Sequence, residues 1–131
     1  MKRRHYIGVL CCLMIMACSK SSSNYEKKEL VGNWLRISSS DTRSDSMTIY
    51  IASGDSAIVT YAPPNSGFAL KERKWENITL VAEFRDFQFF DLSADGTLWK
   101  AFITMESSTV LYVKSAEHPD APGGTQTWVK F

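Results

Sequence analysis

Few residues of this sequence could do chemistry, and their spacing limits what that chemistry can be. The cysteines fall at positions 11, 12 and 18, and the histidines are His5 and His118. Beyond residue 18, His118 therefore has neither a second histidine nor a thiol to work with, which removes a His pair for zinc and a Cys–His nucleophile pair. Beside Asp120 in a proline-rich stretch, it reads as a solvated turn residue. Asp91-Leu92-Ser93-Ala94-Asp95-Gly96 matches the opening of a calcium-binding loop, but Phe102 stands where the bidentate glutamate must be. An Asp-Gly hairpin turn accounts for the same residues. Glycoside hydrolysis needs two carboxylates about 5–10 Å apart, and nothing in the spacing of the acidic residues brings two together. With no catalytic residue, metal ligand or cofactor motif to assign, the chain is expected not to be an enzyme.

The last of the cysteines has a different prospect. Lys2, Arg3, Arg4 and His5 precede an apolar stretch of 12 residues, Tyr6 to Ala17. That is too short for a spanning helix, which needs about 20, and it suits the core of a secretory signal. The stretch ends in Ile15-Met16-Ala17-Cys18, which resembles the bacterial lipobox, with Met16 a less usual occupant of its position. The resemblance implies a lipoprotein signal peptide over 1–17 and a lipid on Cys18, which becomes the new N-terminus. At about 0.8 kcal/mol per buried CH₂, one acyl chain binds reversibly, whereas two or three hold a protein on the membrane. Cleavage would remove Cys11 and Cys12 and lipidation would consume Cys18, leaving no disulfide and no thiolate ligand. Residues 18–29, with Ser19-Lys20-Ser21-Ser22-Ser23 at their head, read as a polar tether with a reach of roughly 20 Å. No acidic cluster follows Cys18, unlike the surface-export signals of Bacteroidetes lipoproteins, so the expected site is the outer membrane, facing the periplasm.

Charge narrows the partners. Without Lys2, Arg3 and Arg4 the chain carries 12 basic and 14 acidic side chains, which is no electrostatic footprint for nucleic acid. The expected partners are the membrane, through the lipid on Cys18, and either a small apolar ligand or an envelope protein.

The elements that must carry any site are strands. Ser23-Asn24-Tyr25-Glu26 fits a capping box and predicts a short helix from Glu26 to Val31, ended by Gly32. Beyond Trp34 the pattern has period two: Met47, Ile49 and Ile51 alternate with Thr48, Tyr50 and Ala52, and Ile78, Leu80, Ala82 and Phe84 with Thr79, Val81 and Glu83. Turn signals such as Ser53-Gly54-Asp55, Pro63-Pro64-Asn65-Ser66-Gly67, Glu76-Asn77 and Asp95-Gly96 divide the chain into candidate strands at 33–39, 46–52, 56–62, 68–75, 77–84, 86–91, 97–105, 109–115 and 125–131. The loop His118 to Gly124 is barred from a central strand by two prolines and two glycines. The expected fold is all-β, a small antiparallel up-and-down barrel of about eight strands with a short N-terminal helical turn. Lys71-Glu72-Arg73-Lys74 puts charge on both faces of a candidate strand and reads as a solvated edge, or as a polar rim selecting an anionic head group or a protein partner. Asp45-Ser46-Met47 and Asp55-Ser56-Ala57 read as turns that also resemble a short O-glycosylation sequon of Bacteroidetes.

Leu30-Val31-Gly32-Asn33-Trp34 resembles the start of a lipocalin (calycin) domain, where a short helix leads into a Gly-x-Trp strand. The hairpin "FFDLSADGTLW" and the ending Trp128-Val129-Lys130-Phe131 are similar to those of small lipocalin-like lipoproteins of Bacteroidetes, so the resemblance spans 30–131. It implies that Gly32 permits a close backbone approach, that Trp34 plugs one end of the barrel and that a late basic residue stacks on it. Lys130 is the first candidate for that residue and Arg36 the second. Two functions follow: a carrier of a small apolar or amphipathic molecule, or a filled barrel that acts through its loops as an inhibitor or accessory subunit. Phe68, Phe84, Phe87, Phe89, Phe90, Phe102 and the four tryptophans are the candidate filling. No residue is assigned to ligand binding from the sequence.

Overall fold

The structure, a computed structural model, describes residues 25–81 and 86–131. The lipobox with Cys18, the signal segment, most of the tether, Ser23 of the capping box, and Ala82 and Phe84 of the alternating run lie outside the described residues. Eight antiparallel strands follow one another in sequence order and close into a barrel. They are β1 (Gly32–Ser39), β2 (Thr48–Ile51), β3 (Ala57–Tyr61), β4 (Arg73–Val81), β5 (Asp86–Leu92), β6 (Leu98–Met105), β7 (Val110–Ser115) and β8 (Thr125–Lys130). The last strand pairs with the first, Trp34 opposite Lys130 and Arg36 opposite Trp128, so every strand has two neighbours. Closure removes the exposed edges on which an open sheet would aggregate.

Two ends follow from the strand directions. β1 begins at the end covered by a 3-10 turn, Lys27–Leu30, and this closed end also holds the β2–β3 and β6–β7 connections. The turn is shorter than the predicted helix, and Glu26 at its head makes no side-chain cap. It is held instead by burial of Leu30, by Lys27 pairing with Asp55, and by the Trp34 indole donating to the Leu30 carbonyl at 2.7 Å. The opposite end, the mouth, gathers four connections: 40–47, 62–72, 93–97 and 116–124.

The interior is filled with large rings. Trp34, Trp75, Trp128, Phe87 and Phe89 are fully buried, and Trp75 packs on Trp128 edge to face with centroids 5.2 Å apart and on Phe89 at 4.9 Å. Such pairs contribute about 0.5–1.5 kcal/mol each beyond burial. Phe90 and Phe102 are not filling. Each follows an inward residue on its strand, so each falls on the outer face and is only half-buried, as is Phe68 under its loop. Trp99 is likewise half-buried, at the mouth.

The largest departure from the expected strands is β4. Residues 68–72 are a loop, with Lys71 at φ 66°, and a single strand replaces the two separated by a turn at Glu76-Asn77. Asn77 sits inside that strand at φ 52°, where the pairing with β5 slips between Glu76 and Thr79. Asparagine enters the left-handed region more cheaply than most residues, so the turn signal marks a bulge. The bulge shifts the alternation: Trp75 and Ile78, three apart, both face the core.

Candidate functional site

The inward stripes of five strands change character on the way to the mouth. β1 carries Trp34 then Arg36, β5 carries Phe87 and Phe89 then Asp91, and β8, read in reverse, carries Trp128 then Gln126. β6 runs from Ile103 to Ala101 and Trp99, and β7 from Leu111 to Val113 and Ser115. An apolar floor thus gives way to polar and smaller side chains, and a cavity of about 150 Å³ opens among them. Its wall includes Arg36, Lys74, Asp91 and Gln126 from the strands, with Phe68, Ala94, His118 and Pro122 from the loops.

Three of these side chains, Lys74, Asp91 and Gln126, form one network. Lys74 donates to the Asp91 carboxylate and, at 2.6 Å, to the Leu92 carbonyl, while its ammonium lies 4.8 Å from the centre of the Phe68 ring. Gln126 donates to the other Asp91 oxygen and to the Gly123 carbonyl, both at 2.9 Å, and accepts from the Trp128 indole at 2.9 Å. Lys74 is 2% exposed, so it is not the solvated edge residue that its charged neighbours suggested. The reason lies in register: Ala57 faces Trp75 while Ile58 faces Arg73, which leaves Lys74 as an extra residue turned inward beside Trp75. Burial pushes the Lys74 ammonium below its ordinary pKa, and Asp91 opposes the shift. Both charges stay tied to partners, as buried charges must be.

Arg36 approaches from the opposite wall and is also 2% exposed. Its Nη2 donates to the Asp41 carbonyl at 2.7 Å and to the Ser39 hydroxyl, and its Nε lies 3.5 Å from Asp45. That contact is longer than a hydrogen bond, and Nε and Asp45 Oδ1 are both buried without a hydrogen-bond partner among the described residues. Desolvation lowers the Arg36 pKa, opposed by Asp45, Asp91 and Asp41. At the rim, the His118 ring stands edge-on to Trp99 with centroids 4.9 Å apart and is exposed, in keeping with a solvated turn residue.

The residues singled out from the sequence fall at both ends. At the closed end Lys130 lies over Trp34, its Nζ 5.1 Å from the ring centre, and donates to the Glu29 carbonyl at 2.6 Å. Arg36 is not the stacking residue but part of the mouth. Gly32 has φ 134°, and an added Cβ would meet the Lys130 chain at an ordinary 3.6 Å, so the backbone angle rather than crowding requires glycine. Asp91 and Asp95 do not share a loop site. Asp91 turns into the barrel, while Asp95 accepts from Ser93 and from the Thr97 amide at 3.0 Å, closing the Asp-Gly turn. Ser46 is exposed in a left-handed turn at φ 74°, and Ser56 stands just before β3. Gln126 had no individual signal, but its parity with Trp128 is the cue that it faces inward.

Fold and mouth together define the class: a closed eight-stranded antiparallel barrel with a filled core and a small cavity of mixed polarity at one end. No protein-family model matches the chain, and no curated protein or solved structure matches it.

Proposed function

We propose that the chain is a lipid-anchored cell-envelope protein, lipocalin-like, that holds one small amphipathic molecule at the mouth of its barrel. The observation that carries this reading is the mouth cavity, walled by apolar side chains beside buried polar ones, where a packed barrel would leave no space. Cys18 supplies the anchor, in the outer membrane and facing the periplasm. Tyr25 comes only seven positions after Cys18, a reach of about 15 Å, and the chain enters the barrel through Lys27–Leu30 at the closed end. The closed end therefore sits towards the bilayer and the mouth roughly 20 Å further out, since eight tilted strand residues span about that height. The molecule bound there arrives from the aqueous side.

A second reading is favoured by a separate observation: the Lys74 ammonium, both Asp91 oxygens and the Gln126 amide all have partners inside the protein. On that reading the network is structural, and the mouth loops meet an envelope protein. The two are separated by extracting envelope-purified protein into organic solvent and identifying what is released. About one equivalent of a single small compound per chain supports the carrier. An empty extract contradicts it and turns the search to partners captured by crosslinking through the mouth loops.

A further inference from the structure

We propose that the mouth cavity takes a compact monoanion, a carboxylate on an apolar body about the size of one six-membered ring; this rests on the reading of the mouth as a binding site.

Size sets the body. A dry cavity near 150 Å³ admits a molecule such as benzene, whereas pockets for larger ligands run to about 300–1,000 Å³. A full-length acyl chain therefore does not fit. Ala101 and Val113 are the small apolar strand residues on the wall, and with Trp99 and Phe68 they offer a surface that suits a flat apolar body.

Charge sets the head group. Both Asp91 oxygens already accept, one from Lys74 and the other from Gln126. Asp41 is taken by Arg43, whose amide, Nε and Nη2 all donate to its carboxylate at 3.1 Å. Asp45 faces Arg36 at 3.5 Å. Lys74 gives two of its three ammonium hydrogens to Asp91 and the Leu92 carbonyl and lies 4.8 Å from the centre of the Phe68 ring, and the Gln126 amide gives both of its hydrogens to Asp91 and the Gly123 carbonyl. Of Arg36 and Lys74, the two basic strand residues on the wall, Arg36 is the one without a hydrogen-bonded carboxylate among the described residues: its Nε is buried 3.5 Å from Asp45 with no hydrogen-bond partner, and the residue is only 2% exposed. A desolvated cationic donor attracts an anion strongly, because charge-assisted hydrogen bonds are about twice as strong as neutral ones. An ammonium entering the same space meets no carboxylate that is not already paired. One such cation matches a single negative charge, and a dianionic phosphate would be left half compensated.

The test uses a chain beginning at Ser19, which keeps every strand of the barrel, titrated calorimetrically with benzoate, benzamide and benzylamine. Benzoate is expected to bind one to one and at least tenfold more tightly than either of the others. Ala101→Leu, which fills the cavity without touching a charge, is expected to abolish that binding, and Val113→Leu serves where Ala101→Leu fails to fold. Equal or tighter binding of benzamide or benzylamine overturns the anion and leaves the cavity as a site. Benzoate binding that survives both filling variants overturns the location. Failure of all three probes to bind at millimolar concentration, with the fold verified by near-ultraviolet circular dichroism, overturns both the anion and the reading of the mouth as a binding site.

Discussion

Removing the Lys74 ammonium tests the reasoning about the buried network most severely. Lys74→Met keeps the length of the side chain but leaves the Asp91 carboxylate inside the barrel with only the Gln126 amide as a partner. Breaking a buried pair by deleting one member typically costs about 3–5 kcal/mol, because the remaining charge is left uncompensated. Replacing both members with apolar side chains is far milder and often close to neutral. Lys74→Met/Asp91→Leu is therefore expected to recover most of the loss, with a residual cost of about 1–2 kcal/mol for the Gln126 and Leu92 groups left without partners. In a domain of about 100 residues each kcal/mol moves the melting temperature by about 4 °C, so the single variant should melt about 12–20 °C below wild type and the double about 4–8 °C below. Urea unfolding followed by tryptophan fluorescence gives the free energies, and Asp91→Leu completes the double-mutant cycle. A single-variant cost under about 1 kcal/mol, or a double-variant cost equal to the sum of the singles, would refute the claim that the two charges depend on each other.

The remaining expectations concern pH, backbone and anchor. Because the Lys74 pKa is lowered, the unfolded chain binds the proton more tightly between that lowered value and the ordinary 10.5. Stability therefore rises with pH across this window, and the advantage of wild type over Lys74→Met in urea grows towards pH 10.5; a shrinking advantage contradicts the direction of the shift. Asn77→Val forces a branched side chain to φ 52° and should cost about 1–2 kcal/mol, whereas Asn77→Gly should be nearly neutral, as read from urea midpoints. Lys130→Met removes the cation over Trp34 and its bond to the Glu29 carbonyl, for a loss of about 1–3 kcal/mol by the same measurement. Cys18→Leu should abolish acylation, seen as loss of labelled palmitate, and a variant that stays labelled would sink the anchor.

Period-two alternation made the barrel legible wherever a strand keeps one parity. Ile49 and Ile51 in β2, Phe87 and Phe89 in β5, and Leu111 and Val113 in β7 all face the core as their spacing demands. The same rule carried further along each stripe places Arg36 behind Trp34, Asp91 behind Phe89 and Gln126 beside Trp128, so most of the mouth was available in the sequence to a reader who followed parity past the last apolar residue. Lys74 was not. Its burial depends on an extra residue in β4 opposite Ala57 and Ile58, and an insertion of that kind is a property of two strands and their pairing. Asn77 shows the same limit from the other side. The local preference for a left-handed conformation was readable, but whether it ends a strand or bends one was decided by β5 continuing alongside.

The most direct test of the mouth as a binding site is native mass spectrometry of the intact protein purified from the bacterial envelope, with wild type and Ala101→Leu run side by side. A single adduct of about 100–200 Da on wild type, the mass range that a cavity of about 150 Å³ permits, and a bare mass for Ala101→Leu, is the predicted result. Bare masses for both, or the same adduct on both, would contradict it.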